Sequence, residues 1–137
     1  MLLLIDNSAW ARRHRSAVRG RFAHDMRAGT VATCLPFLLE AGFSTRSAES
    51  HTTIVPHLSM LPRIAMTLAV EQHALEAQAA LAAVDHHRIS PADILIAACA
   101  HEAGAGVLHY DKDYDVLREH TRLRFRSEWL APAGSLD

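Results

Sequence analysis

The amino-acid sequence predicts one α/β domain in three layers (α/β/α), with helices on both faces of a central, mainly parallel sheet of four to five short strands. Three observations carry that prediction. Short apolar runs alternate with helical stretches along the chain, the order expected of βαβ units with right-handed crossovers. The runs are apolar at consecutive rather than alternate positions, as in strands covered on both faces. Two of them, Leu2-Leu3-Leu4-Ile5 and Val107-Leu108-His109-Tyr110, stop abruptly on Asp6 and Asp111, and open α/β sheets bind ligands at the carboxyl ends of their strands.

Length and composition set the bounds. A chain of 137 residues is most simply one domain, burying about two-thirds of the surface its unfolded form would expose. With 50% apolar and 21% charged residues the balance is that of an ordinary globular protein, and disorder is not suggested. Fourteen Lys and Arg against 15 Asp and Glu give a net charge of −1, which excludes a uniformly electropositive nucleic-acid binder. The charge is unevenly spread: residues 1–50 carry seven Arg against four acids, and residues 51–137 carry seven basic residues against eleven acids. A basic patch beside an acidic site is compatible with that division. Cys34 and Cys99 lie far from any CxxC spacing and read as small buried hydrophobes in a reducing compartment. The opening run lacks the basic flank of a signal peptide, and no stretch approaches the ~18 apolar residues of a membrane span. A soluble, cytoplasmic protein without membrane association is expected.

After the first strand, Ser8 is expected to cap a helix that turns Ala9 and Trp10 inward and Arg12, Arg13 and Arg15 outward. A second helix, from about Ser16 to Arg27, places Val18, Phe22 and Met26 at i, i+4 and i+8 and ends at Gly29. Thr30 to Thr33 is partly β-branched and reads as a strand. Pro36 opens a helix that runs through Phe43. Its Glu40 is the single charged residue between Gly29 and Arg46, and a carboxylate in so apolar a stretch is costly unless paired, metal-bound or aimed into a cleft. Pro56 and Pro62 break Ala48 to Leu61 into a helix fragment and loop, and Ile64-Ala65-Met66 is strand-like.

From Leu68 to about Val84 the periodicity predicts a helix with Leu75, Ala79 and Ala82 on one face, ended by Asp85-His86-His87-Arg88. Ser90-Pro91-Ala92-Asp93 opens the next with a cap serine, a proline at the first position and an acid three residues after the cap. Ile94 to Ala100 is almost wholly apolar, so this helix is expected to be buried, with Gly104 and Gly106 stopping it. Val107 to Tyr110 is a strand, Val116 to His120 a short helix, and Phe125 with Trp129-Leu130 a last edge strand. Ala131 to Asp137 reads as a tail of the single domain 1–137.

Four carboxylates are the candidates for chemistry. Asp6 and Asp111 end strands, Asp93 lies at a helix start facing the same sheet edge, and Glu40 is the stranded acid of an apolar helix. Acids converging there would repel one another and take up protons unless a divalent cation neutralised them. Oxygen ligands alone suit Mg²⁺ or Mn²⁺ rather than zinc, and such an ion assists in-line attack of water on a phosphodiester. Each acid also has a structural alternative. Asp6 can close an Asx turn, Asp93 a capping box with Ser90, Asp113 can be a helix N-cap and Asp115 a solvated first-turn acid.

Other constellations carry less. The ten histidines are scattered; His86 and His87 are adjacent and point apart, and His101-Glu102 lacks a second His four residues on. Ser8 and Ser90 have no glycine elbow, and no dinucleotide or P-loop glycine motif occurs. The series Arg12, Arg13, Arg15, Arg19 and Arg21 has three readings: contacts to an RNA backbone, a groove for an acidic partner peptide, or a solvated helix face.

On Leu3-Leu4-Ile5-Asp6-Asn7-Ser8, Leu39-Glu40-Ala41-Gly42, Pro91-Ala92-Asp93-Ile94-Leu95-Ile96-Ala97-Ala98 and His109-Tyr110-Asp111-Lys112-Asp113-Tyr114, the chain resembles a PIN domain, specifically a VapC toxin of a bacterial type II toxin–antitoxin pair. The four motifs span nearly the whole chain in the family's order. The resemblance implies a Mg²⁺-dependent endoribonuclease, with Mn²⁺ able to substitute, acting on tRNA or rRNA and leaving a 5′-phosphate. It implies an acidic quartet of Asp6, Glu40, Asp93 and Asp111, with Asp113 as an auxiliary ligand and Glu40 acting through water. Ser8, Arg12, Arg13 and Arg15 become candidates for contact with RNA or antitoxin. Homodimerisation is implied, as is inhibition by a cognate antitoxin in a heterotetramer or larger assembly. Asn7-Ser8 departs slightly from the commoner Asp-Thr/Ser pairing after the strand. The alternative is a non-catalytic PIN-like module that binds RNA or protein and keeps its acids for stability.

Overall fold

In the computed structural model, which describes residues 1–86 and 88–137, the chain builds a five-stranded sheet in the order β3-β2-β1-β4-β5. The strands are β1 (Leu3–Ile5), β2 (Val31–Cys34), β3 (Arg63–Ile64), β4 (Gly106–His109) and β5 (Arg126–Trp129), and every neighbouring pair is parallel. Every residue of β1, β2 and β4 is buried, which is why these segments are apolar without alternation. Seven helices are described: α1 (Asn7–Trp10), α2 (Arg19–Arg27), α3 (Leu35–Phe43), α4 (Ala48–Leu58), α5 (Leu68–Ala83), α6 (Pro91–Ala103) and α7 (Asp113–His120). The fold is the three-layer α/β/α arrangement, with the sheet wholly rather than mainly parallel. No described helix is long and apolar enough to cross a membrane. His87, expected to point away from its neighbour, lies outside the described residues.

Several local expectations change. Asp6, not Ser8, is the N-cap of α1: its carboxylate accepts the Ser8 N–H. The second helix begins at Arg19, after residues 11–18 have passed through turns. The segment from Ala48 is an eleven-residue helix capped by Ser47, and Pro56 is accommodated inside it. The third strand is Arg63–Ile64, so Ala65 and Met66 fall beyond it. The buried face of α5 is Val70, Ala74, Ala77 and Leu81, whereas Leu75 is 63% exposed. In an alanine-rich helix several stripes are nearly equally apolar, and packing against α6 selects the one that carries Val70 and Leu81.

Gly104, at φ +66°, ends α6, while Gly106 is already the first residue of β4. The register sets Gly106 opposite Leu3 and Arg126, and a Cβ there would stand 2.8 Å from Leu3 Cδ2 and 3.0 Å from the Arg126 carbonyl oxygen. Gly106→Ala is therefore expected to destabilise the fold by about 1–3 kcal/mol through overpacking, read as a lower urea midpoint with an unchanged slope. Cys34 and Cys99 are free and buried, as their setting suggested, with Cys99 Sγ 3.5 Å from Met66 Sδ. The last seven residues form neither helix nor strand, yet they are anchored. Leu136 is buried and its N–H donates to Tyr110 Oη at 2.9 Å, while Arg12 pairs with Asp137 at 2.6 Å.

Candidate functional site

The carboxyl ends of β1 and β4 lie side by side, with the Asp6 N–H donating to the Leu108 carbonyl at 3.0 Å. That register delivers Asp6 and Asp111 to one edge. Asp93 reaches it as the third residue of α6 and Asp113 as the first residue of α7. Carboxylate oxygens of Asp93, Asp111 and Asp113 lie within 4.8 Å of one another. Asp113 is thus a full member of the tight cluster and not the N-cap of α7, a place held by Lys112. Its own N–H donates to Asp111 Oδ1 at 2.9 Å.

Asp6 joins the cluster through Tyr114. The buried phenol donates to Asp6 Oδ1 at 2.8 Å and stands 3.3 Å from Asp93 Oδ1, so Asp93 is engaged with Tyr114 rather than closing a capping box with Ser90. The other Asp6 oxygen accepts the Ser8 N–H at 3.0 Å and the Ser8 hydroxyl at 2.5 Å. Ser8 Oγ in turn accepts the Tyr110 N–H at 2.8 Å, tying the end of β1 to the end of β4. Glu40, half-buried on α3, lies outside the tight cluster, but its charge and that of Asp6 oppose each other and it also acts on Asp93.

Among the described residues no ion pair reaches Asp6, Glu40, Asp93, Asp111 or Asp113. The electrostatic consequence falls on Asp93, whose carboxyl is pushed up to about 8, first by burial and then by Asp6, Asp111 and Glu40. Burial, followed by Asp6, raises Glu40, and burial, followed by Asp111, raises Asp113. The Tyr114 hydroxyl is held far above its ordinary range by burial and by Asp6 and Asp93, so it remains a donor. All the donor atoms are oxygens and none is ion-paired among the described residues, which fits a hard divalent cation. Tyr114→Phe is expected to preserve the fold but weaken Mg²⁺ binding by about tenfold, checked by titration calorimetry.

The arginine series is differently employed. Arg12 donates to the Ser8 carbonyl at 2.9 Å, pairs with Asp137 and lies 4.6 Å over the Tyr110 ring. Arg13 sits 3.6 Å over Trp10, Arg15 donates to the Leu136 carbonyl at 2.6 Å, and Arg21 pairs with Glu128 at 2.9 Å. Four of the five guanidiniums therefore brace the chain to itself. Asp115, read as a solvated acid, accepts from Ser127 Oγ at 2.6 Å and Trp129 Nε1 at 2.9 Å, bonding α7 to β5. Sequence reasoning passed over Tyr114. Its signal was its spacing: three residues after Asp111 on a helix start, it lies on the turn that faces the acids.

Residues 3–119 match the family model of the PIN domain. The chain is 35% identical over 134 residues to Ribonuclease VapC51 of Mycobacterium tuberculosis, covering 98% of this chain and 96% of that protein. It is 33% identical over 139 residues to Ribonuclease VapC18 of the same organism, covering 99% and 100%. Among solved structures, the DNA-bound VapBC from Salmonella typhimurium superposes with a TM-score of 0.72 at 19% identity, over 96% of this chain and 100% of that one. VapBC2 from Rickettsia felis bound to a promoter DNA fragment gives 0.73 at 15% identity, over 94% and 99%.

Proposed function

Because this chain belongs to the PIN domain family, and within it to the VapC ribonucleases, we propose that it is the toxin of a type II toxin–antitoxin pair and a Mg²⁺-dependent endoribonuclease. The observation that carries the reading is the tight cluster of Asp93, Asp111 and Asp113 oxygens, none of which is ion-paired among the described residues. When bound, Mg²⁺ or Mn²⁺ offsets that charge and stabilises the negative charge developing on the phosphoryl and leaving oxygens. Asp93, Asp111 and Asp113 present the oxygens that hold it. Asp6 is aligned beside them by Tyr114 and Ser8. Glu40 orients the attacking water and takes its proton, a role suited by the upward shift of its carboxyl. Arg12 would meet an RNA phosphate at the rim only by giving up its pair with Asp137.

The product expected is an RNA with a 5′-phosphate, cut from tRNA or rRNA in the bacterial cytoplasm. A cognate antitoxin would silence the site, and homodimeric toxin would assemble with it as a heterotetramer or larger complex. The test is a Mg²⁺ titration of thermal stability paired with an RNA cleavage assay. At a hundred times its dissociation constant an ion that binds only the folded form adds about 2.7 kcal/mol. Saturable stabilisation together with cleavage supports the reading. Stabilisation without cleavage points to the non-catalytic binding module, and no effect of metal on either removes the metal site.

A further inference from the structure

His109 has no part in the function proposed above, yet it is fully buried at the end of β4 and both its ring nitrogens are engaged. Nδ1 lies 3.1 Å from the Asp111 backbone N–H, which can only donate, so Nδ1 accepts and carries no proton. Nε2 then bears the ring proton and donates to Ser127 Oγ at 2.7 Å. The Ser127 hydroxyl in turn donates a hydrogen bond to Asp115 Oδ1 at 2.6 Å. The direction of every bond is thereby fixed from the surface of α7 through β5 to the backbone of Asp111. The ring cannot turn either, being wedged between Tyr114 and Trp129 with centroids 4.8 and 5.0 Å away.

We propose that His109 is a positioning residue that aims Asp111 into the acidic cluster, an inference that rests on reading Asp111 as a metal ligand. β4 ends at His109, two residues before Asp111, so no strand partner holds the Asp111 N–H. His109 supplies that partner from below, and the Asp113 N–H fixes one carboxylate oxygen from the other side at 2.9 Å. With backbone and side chain both tethered, the remaining Asp111 oxygen has one direction open to it. Burying an imidazole at the end of an otherwise apolar strand is costly, and aliphatic packing would serve the core as well. The acceptor at Nδ1 is what an aliphatic residue cannot provide.

Two substitutions separate the ring's two bonds. His109→Asn places an amide oxygen where Nδ1 stands and keeps the bond to Asp111, whereas His109→Gln places an amide nitrogen where Nε2 stands and keeps the bond to Ser127. Asp111 amide exchange is measured by NMR in the metal-free full chain, and Mg²⁺ affinity by calorimetry. The expected result is a protected Asp111 amide and near-native affinity in H109N, with exchange at least about tenfold faster and Mg²⁺ bound about tenfold more weakly in H109Q. Equal behaviour of the two variants, or greater loss in H109N, overturns the proposal. If neither variant folds, Ser127→Ala on the partly exposed edge strand removes the acceptor that keeps the ring proton on Nε2, lets it move to Nδ1 and should speed Asp111 exchange; unchanged exchange overturns the proposal too. A native chain that binds no Mg²⁺ would instead defeat the metal reading, while the exchange measurement continues to judge His109.

Discussion

Asp93→Asn is expected to lower RNA cleavage by at least about a thousandfold, the equivalent of several kcal/mol of lost charge stabilisation, while raising the melting temperature of the metal-free protein. The two effects have one cause. Asp93 is 8% exposed and faces Asp6, Asp111 and Glu40 with no cation in reach among the described residues, so ionising it costs the folded state. The amide keeps the side chain's volume and its contact with Tyr114 but removes the charge that holds the ion. Cleavage rates and melting curves at pH 8, with and without Mg²⁺, check this. Native stability should rise on adding Mg²⁺ and that of the variant should not. A variant that still cuts, or that melts lower without metal, would remove Asp93 from the role assigned to it.

Between about pH 6.5 and 8, the metal-free protein is expected to lose about 2 kcal/mol of stability. In the unfolded chain Asp93 ionises near the ordinary ~3.9, and in the folded protein at about 8. Within that interval the folded state holds a proton that the unfolded state has given up. Raising the pH therefore favours unfolding, and the dependence levels off above the folded value. Burial lowers His109, which works in the opposite direction as pH falls below its ordinary ~6.5, so the clean window lies above that. Mg²⁺ reverses the trend, because binding expels the proton and affinity should rise by up to about tenfold per pH unit until about 8. Urea midpoints at pH 6.5, 7.25 and 8, with and without the ion, read both effects. A metal-free profile that is flat or climbs with pH would contradict the assignment.

Which parts of this architecture were legible in the sequence follows from how local their causes are. Strands buried on both faces announce themselves by unbroken apolar runs, and the Ser90-Pro91 helix start depends on bonds within one turn, so both were readable directly. The buried stripe of α5 was not, because Leu75 and Leu81 are equally apolar and only the neighbouring helix distinguishes them. Asp6 and Asp111 could be placed at a common edge because parallel strands share their direction. The partners of those acids are set by packing between distant segments: Tyr114 meets Asp6 across 108 positions. Nor does a run of arginines reveal that its charges turn back on the chain's own carbonyls, since the segment from Leu136 that receives Arg15 lies 121 residues away.

Strand β1 sits in the middle of the sheet, and one of its two partners, β4, follows it by 103 positions from Leu3 to Gly106. A ribosome adding about 5–20 residues per second leaves that strand without its β4 neighbour for roughly 5–20 s. The three clustered acids, Asp93, Asp111 and Asp113, also lie far along the chain from β1. A nascent chain therefore has no tight acidic cluster until Asp113 has been added.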